Sequence, residues 1–252
     1  MAKVKSKRKK IKASTAFSAG HQLSNEGLSF LLKMYFLLTL SVLSVVLTSY
    51  FMYWYTLHGD LTLLESPYVK GVFTYAWVGM LLFGFVVMLL GDSLTSVLMY
   101  LLFVLSISIS IGSVVLPFLL TGFVSPVINA AALTFGIFFC ITWLVIIKGR
   151  SFETSESFLQ TALFILLILG IVNAFFVEST TLEIVTAGFG SLVFAGYILH
   201  STQEVVRGNE ESCLRASVMM FLNIVNLFLY LLRIFAYIAK PLSFFVDDDS
   251  ST

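Results

Sequence analysis

From Ser93 to Ile147 the chain runs for 55 residues without one charged side chain. A single α-helix needs about 20 apolar residues to cross the roughly 30 Å hydrocarbon core of a bilayer, at about 1.5 Å per residue. The run is therefore too long for one crossing and must fold back on itself. The break falls between Pro117 and Pro126, where Thr121, Gly122 and Ser125 supply turn chemistry. No water-soluble fold offers a natural home for such a segment, so lipid must be part of its solvent.

Composition points the same way. Hydrophobic residues make up 58% of the 252 and charged residues 12%, with a mean hydropathy of +0.97, against about 45–50% and 25% in soluble domains. Five further uncharged stretches each read as one span: 34–57, 71–91, 157–177, 184–203 and 216–239, the last interrupted by Arg233. The predicted fold class is all-α, a polytopic transmembrane bundle of seven helices. Residues 1–29 read as a basic, disordered tail, 30–240 as the membrane domain and 241–252 as a short acidic tail. Ala13 to Gly27 is polar, so the first span follows no signal-peptide pattern and reads as a retained anchor.

The net charge of +1 conceals an asymmetry. Residues 1–33 carry eight Lys/Arg against Glu26, whereas 34–252 carry seven against thirteen acids. Counted over alternate loops, the positive-inside rule puts twelve basic residues on the side of the N-terminus and only Lys70 and Lys240 on the other. The N-terminus is expected in the cytoplasm. The basic tail reads as a solvated topogenic arm, with anionic lipid as the other reading; it lacks the interleaved aromatics that would suggest nucleic acid.

Polar groups are costly in a bilayer, which makes their placement informative. In the last span Asn223, Asn226, Tyr230, Arg233 and Tyr237 recur at spacings of 3, 4, 3 and 4, one face of a helix. That face is expected to look into the bundle, making the seventh helix central, either as an interhelical hydrogen-bond seam or as a conduction or ligand pathway. Carbonyls, hydroxyls, water, or Glu178 and Glu183 near the same outer side are candidate partners for Arg233. Ala187, Ser191 and Ala195, and likewise Ser106, Ser110 and Ser113, form strips expected to serve packing. His200 is a candidate pH sensor. Glu210, Glu211 and Arg215 match an EExxxR protease pattern, but the accompanying histidines are missing. No catalytic residue, metal site or cofactor is expected, and Cys140 and Cys213 form no disulfide framework.

The stretches Ala195–Gln203 (AGYILHSTQ), Glu211–Val218 (ESCLRASV) and Asn226–Arg233 (NLFLYLLR) resemble the Bax inhibitor-1/YccA-like family, as do Lys33–Leu38 and Lys148–Phe152. The resemblance spans about residues 30 to 240. It implies a seven-helix bundle with the last helix in the centre. Members of the calcium-leak branch carry two intramembrane aspartates, one in each of the last two helices, as a pH-sensitive latch. The matching positions here are Ser201 and Asn223, so both carboxylates are replaced by neutral groups that still offer oxygen.

The spacing from Gly208 through Arg215 to Val218 resembles the bacterial YccA branch, associated with a membrane-embedded ATP-dependent protease. The expectation is thus a non-enzymatic protein modulating membrane-protein homeostasis or stress response through a membrane partner, in a bacterial inner membrane. The alternative is a calcium or cation leak with an altered gate, its path lined by Ser201, Asn223, Asn226 and Arg233.

Overall fold

The computed structural model describes residues 25–58, 67–148 and 156–246. Among the described residues there are helices and no strand: α1 (Asn25–His58), α2 (Pro67–Leu90), α3 (Leu94–Leu120), α4 (Ser125–Lys148), α5 (Glu156–Val172), α6 (Thr180–Val206) and α7 (Cys213–Val246). Seven are long and apolar enough to cross a membrane, as the sequence predicts. The basic residues 1–24 and the acidic end 247–252 lie outside the described residues.

The long uncharged run is divided into two helices, α3 and α4. Pro117 stays inside α3, near its end, where the Thr121 N–H and hydroxyl both donate to the Pro117 carbonyl at 3.1 and 2.9 Å. The break between them falls at Gly122, whose φ of +72° is one that a side chain would disfavour. Pro126 then sits in the first turn of α4, where its missing N–H costs no intrahelical bond. Most other predicted boundaries shift outwards, because helices continue past the apolar stretch, whereas the second span ends at Leu90, one residue short of its predicted limit. In α5 the stop is different: Asn173–Val177 widens into a π turn that ends at Glu178 in a left-handed conformation.

Over the described residues two compact units are formed. The first comprises the described residues up to Phe123 together with Glu204–Phe221, the second those from Val124 to Gln203 together with the described residues from Leu222 onward. In the first unit Phe103, fully buried, meets Phe221 edge-on with ring centroids 6.2 Å apart. Gly84 lets Phe103 and Val218 come close to the α2 backbone. Helices α1 and α3 are joined by hydroxyls: Ser41 to Tyr100 at 2.8 Å, and Ser108 donating to Ser44 at 3.1 Å. In the second unit Ile198 and Ala187 of α6 are fully buried, and Phe194 stacks on Tyr230 of α7 at 5.7 Å.

Burial is distributed unevenly among the helices. Of an 18-residue apolar stretch in each span, half is buried in α3 and 44% in α7, against 11% in α5 and 17% in α2 and α4. The last helix is thus well covered, as expected, and α3 is covered as fully. Phe158, Phe164, Leu167 and Ile168 of α5 are exposed. In water such a surface would drive association; around a membrane span it meets acyl chains.

Candidate functional site

The polar stripe of α7 begins in the second unit at Asn223, ten residues after Cys213. At about 1.5 Å per residue that is about 15 Å along the helix, half the thickness of a hydrocarbon core. Its side-chain nitrogen donates to the Ser201 hydroxyl of α6 at 3.2 Å, and both residues are half-buried. The two positions marked by the family resemblance are therefore brought together, as a neutral amide–hydroxyl clasp between the last two helices.

One turn further on, Asn226 is half-buried but turns back on its own helix, donating to the Leu222 carbonyl at 2.8 Å. Tyr230 then packs its ring against α6. A Cβ built on Gly190 would lie 2.8 Å from Tyr230 ring carbons, so this contact exists only because Gly190 has no side chain. Ala187, Ser191 and Ala195 lie on the same helix, and Ser191 bonds back to the Gly188 carbonyl at 2.7 Å. The close approach to α7 is made at Gly190, beside the predicted strip. His200 is half-buried in α6, next to Ser201 in sequence.

The stripe does not stay covered along its length. Arg233 is exposed and Tyr237 is 47% exposed. Arg233 lies twenty residues from Cys213, about 30 Å along the helix, which is the full hydrocarbon thickness. The candidate span runs on to Ala239, so the charge lies toward one end of it, where a long side chain reaches for the interface. The guanidinium lies 5.7 Å from the centroid of the Tyr230 ring. Among the described residues no ion pair joins it to Glu178 or Glu183, and the ion pair present is Arg207 with Glu204 at 3.5 Å.

A second polar centre, in the first unit, is not singled out by the sequence pattern. Asp92, in the turn between α2 and α3, reaches the start of α7. Its Oδ1 accepts from the Ser212 hydroxyl at 2.7 Å and the Leu214 N–H at 3.2 Å, and its Oδ2 from the Cys213 N–H at 3.1 Å. Ser212 in turn accepts from the Arg215 N–H at 3.1 Å. The first N–H groups of a helix have no intrahelical partner and carry partial positive charge, and here Cys213, Leu214 and Arg215 all find an acceptor.

Two signals in the chain point to this centre. Asp92 is the one charged residue between Lys70 and Lys148. The first turn of α7 also has no acid of its own, and carries Arg215 where a capping box would place Glu or Gln.

Between α6 and α7 the turn is tightly made. Gly208 has a φ of +70°, and Asn209 donates its N–H to the Glu204 carbonyl and its side-chain amide to the Glu204 carboxylate at 2.8 Å. Burial raises the carboxyl of Glu210 above its ordinary pKa; Arg215 pulls it down, and Glu204 and Glu211 push it up. The serines of α3 divide as well: Ser110 and Ser113 bond carbonyls of their own helix, while Ser106 stands where a Cβ on Gly79 would meet it. Among the described residues no group of three His, Cys, Asp or Glu is placed to hold a metal ion.

Residues 28–240 match the family model described as inhibitor of apoptosis-promoting Bax1. The chain is 31% identical to mouse protein lifeguard 4 over 216 residues, covering 84% of this chain and 87% of that relative. It is 34% identical over 134 residues to a Golgi anti-apoptotic protein of vaccinia virus strain Lister, covering 52% of this chain and 54% of the viral one. It is also 34% identical over 110 residues to Bax inhibitor 1 of Schizosaccharomyces pombe, covering 43% and 41% of the two chains.

Proposed function

Since the chain belongs to the Bax inhibitor family of multi-pass membrane proteins, we propose that it acts without catalysis, as a stress or cell-death regulator working through a partner in its own membrane. The observation that carries this reading is the Asn223–Ser201 clasp. A pair of carboxylates at these positions would share protons and titrate as a coupled unit. An amide and a hydroxyl do not ionise across the physiological range, so the clasp is not operated by protons. The scaffold is retained while the proton-driven switch of a leak is not.

The membrane we assign is a eukaryotic endomembrane. The mouse relative covers most of the chain, and the viral relatives are named as Golgi anti-apoptotic proteins. This replaces the bacterial inner membrane as the favoured location. The orientation remains the one that the charge count favours, with the Asp92 turn and the 207–212 loop facing the cytoplasm. A membrane-embedded protease is one class of partner; the alternative reading is a cation leak with a neutral gate.

Calcium flux into proteoliposomes at about pH 6 and about pH 8, a range that brackets an ordinary histidine, separates the readings. The native protein is expected to pass no more calcium than protein-free liposomes at either pH. The double variant Ser201→Asp/Asn223→Asp is expected to introduce a pH-dependent flux. A native leak that changes with pH would overturn the proposal, and a pH-independent native leak would establish the alternative.

A further inference from the structure

The start of α7 is held by a residue remote in sequence. Asp92 lies 120 positions before Ser212, in a turn built to present it: Gly91 takes a φ of +66°, and Ser93 caps α3 by accepting the Ser96 N–H at 3.1 Å. The aspartate is therefore not used by the helix that follows it. Its carboxylate is directed to α7, where it accepts three hydrogen bonds, two of them from main-chain N–H groups. The first turn of α7 holds no acid that could take its place.

We propose that Asp92 is the lock on the last helix, so that the first turn of α7 loosens or shifts only when this carboxylate lets go. The lock is detachable because of where it sits. Asp92 is exposed, so water can take over its hydrogen bonds, whereas a carboxylate sealed in the apolar interior would have no alternative partner. The donors it releases are also at the helix end, and the first turn can open without breaking the rest of the ladder. Ser212, only 5% exposed, closes the arrangement by joining Asp92 to the Arg215 N–H. The proposal is independent of whether the clasp at Asn223 serves a leak or a partner.

Cys213 reports on the lock directly. It is half-buried, and with Cys140→Ala it becomes the sole thiol of the chain. In that background Asp92→Asn is expected to raise the alkylation rate of Cys213, and the hydrogen-exchange rates of the Cys213 and Leu214 amides, by about fivefold, the factor that loss of a typical helix cap represents. Exchange within α4 and α5 is expected to stay unchanged. Unchanged rates at Cys213 and Leu214 in a folded Asp92→Asn protein would overturn the proposal. Should that variant fail to fold, the native protein decides: slow exchange at both amides supports the lock, and exchange at the rate of an unstructured peptide overturns it.

Discussion

Asn223 of α7 donates its side-chain N–H to the Ser201 hydroxyl of α6 at 3.2 Å, a pairing of two neutral groups between the last two helices. Hydrogen bonds between membrane helices contribute about 0.6 kcal/mol on average, up to about 1.7. Ser201→Ala should therefore lower stability by about 0.6 kcal/mol, measured by reversible unfolding in mixed micelles. The loss should be the same at about pH 6 and pH 8, because neither partner titrates there. A pH-dependent difference between native and variant protein would show that an ionisable group contributes to the clasp.

The approach of α7 to α6 depends on Gly190. A methyl group there would lie 2.8 Å from the Tyr230 ring, which is itself stacked on Phe194 at 5.7 Å and so has little room to withdraw. Gly190→Ala should destabilise by about 1–3 kcal/mol, the usual range for overpacking. Gly188, two residues away, has open space around its would-be Cβ. Gly188→Ala should be neutral or gain up to about 1 kcal/mol from helix propensity. Thermal denaturation of the two variants in one detergent checks the contrast.

The contrast also shows what can be read from the chain. Seven spans are legible because bilayer thickness acts on runs of residues, and the Ser93–Ile147 run can only be two helices. The Ser201–Asn223 pairing is legible through the family resemblance alone. The small-residue strip at Ala187, Ser191 and Ala195 stands out in the sequence, yet the close approach falls on Gly190, because one helical step rotates a side chain by about 100°. Periodicity selects a face and not the residue in closest contact. Asp92 is harder to read for another reason: its partners lie 120 and more positions away, so an isolated charge and a first turn without its own acid mark the two ends without showing that they meet. Of the stripe on α7, Asn223, Asn226 and Tyr230 are half-buried, whereas its last members, Arg233 and Tyr237, are exposed.

In the first unit Tyr100, 3% exposed, pairs its hydroxyl with Ser41 at 2.8 Å and also reaches the Leu37 carbonyl at 3.3 Å. Tyr100→Phe keeps the ring against Phe103 and removes only these bonds. Ser41 retains its own-helix bond to the Leu37 carbonyl, so no polar group is stranded. The expected cost is about 0.6–1.7 kcal/mol. Tyr100→Leu should cost more, since it also empties part of the ring's space. Equal losses for the two variants would show that packing, and not the hydroxyl, carries the contribution.

The loop before α7 should give stability a pH dependence through Glu210. Burial raises its carboxyl pKa in the folded protein, with Arg215 opposing and Glu204 and Glu211 assisting. A raised folded pKa means that the folded state holds this proton more firmly than the unfolded state does. Stability then falls as pH rises from the ordinary Glu range through the raised value, and levels off above it. At neutral pH the charged carboxylate is therefore a net cost to the fold. Glu210→Gln, which cannot ionise, should remove that slope and leave the variant more stable than the native protein above the raised pKa. Below the ordinary Glu range the two should converge. Unfolding midpoints measured from about pH 4 to pH 8, spanning the ordinary carboxylate range and beyond, test the sign: a variant less stable at neutral pH would show that the attraction of Arg215 outweighs burial.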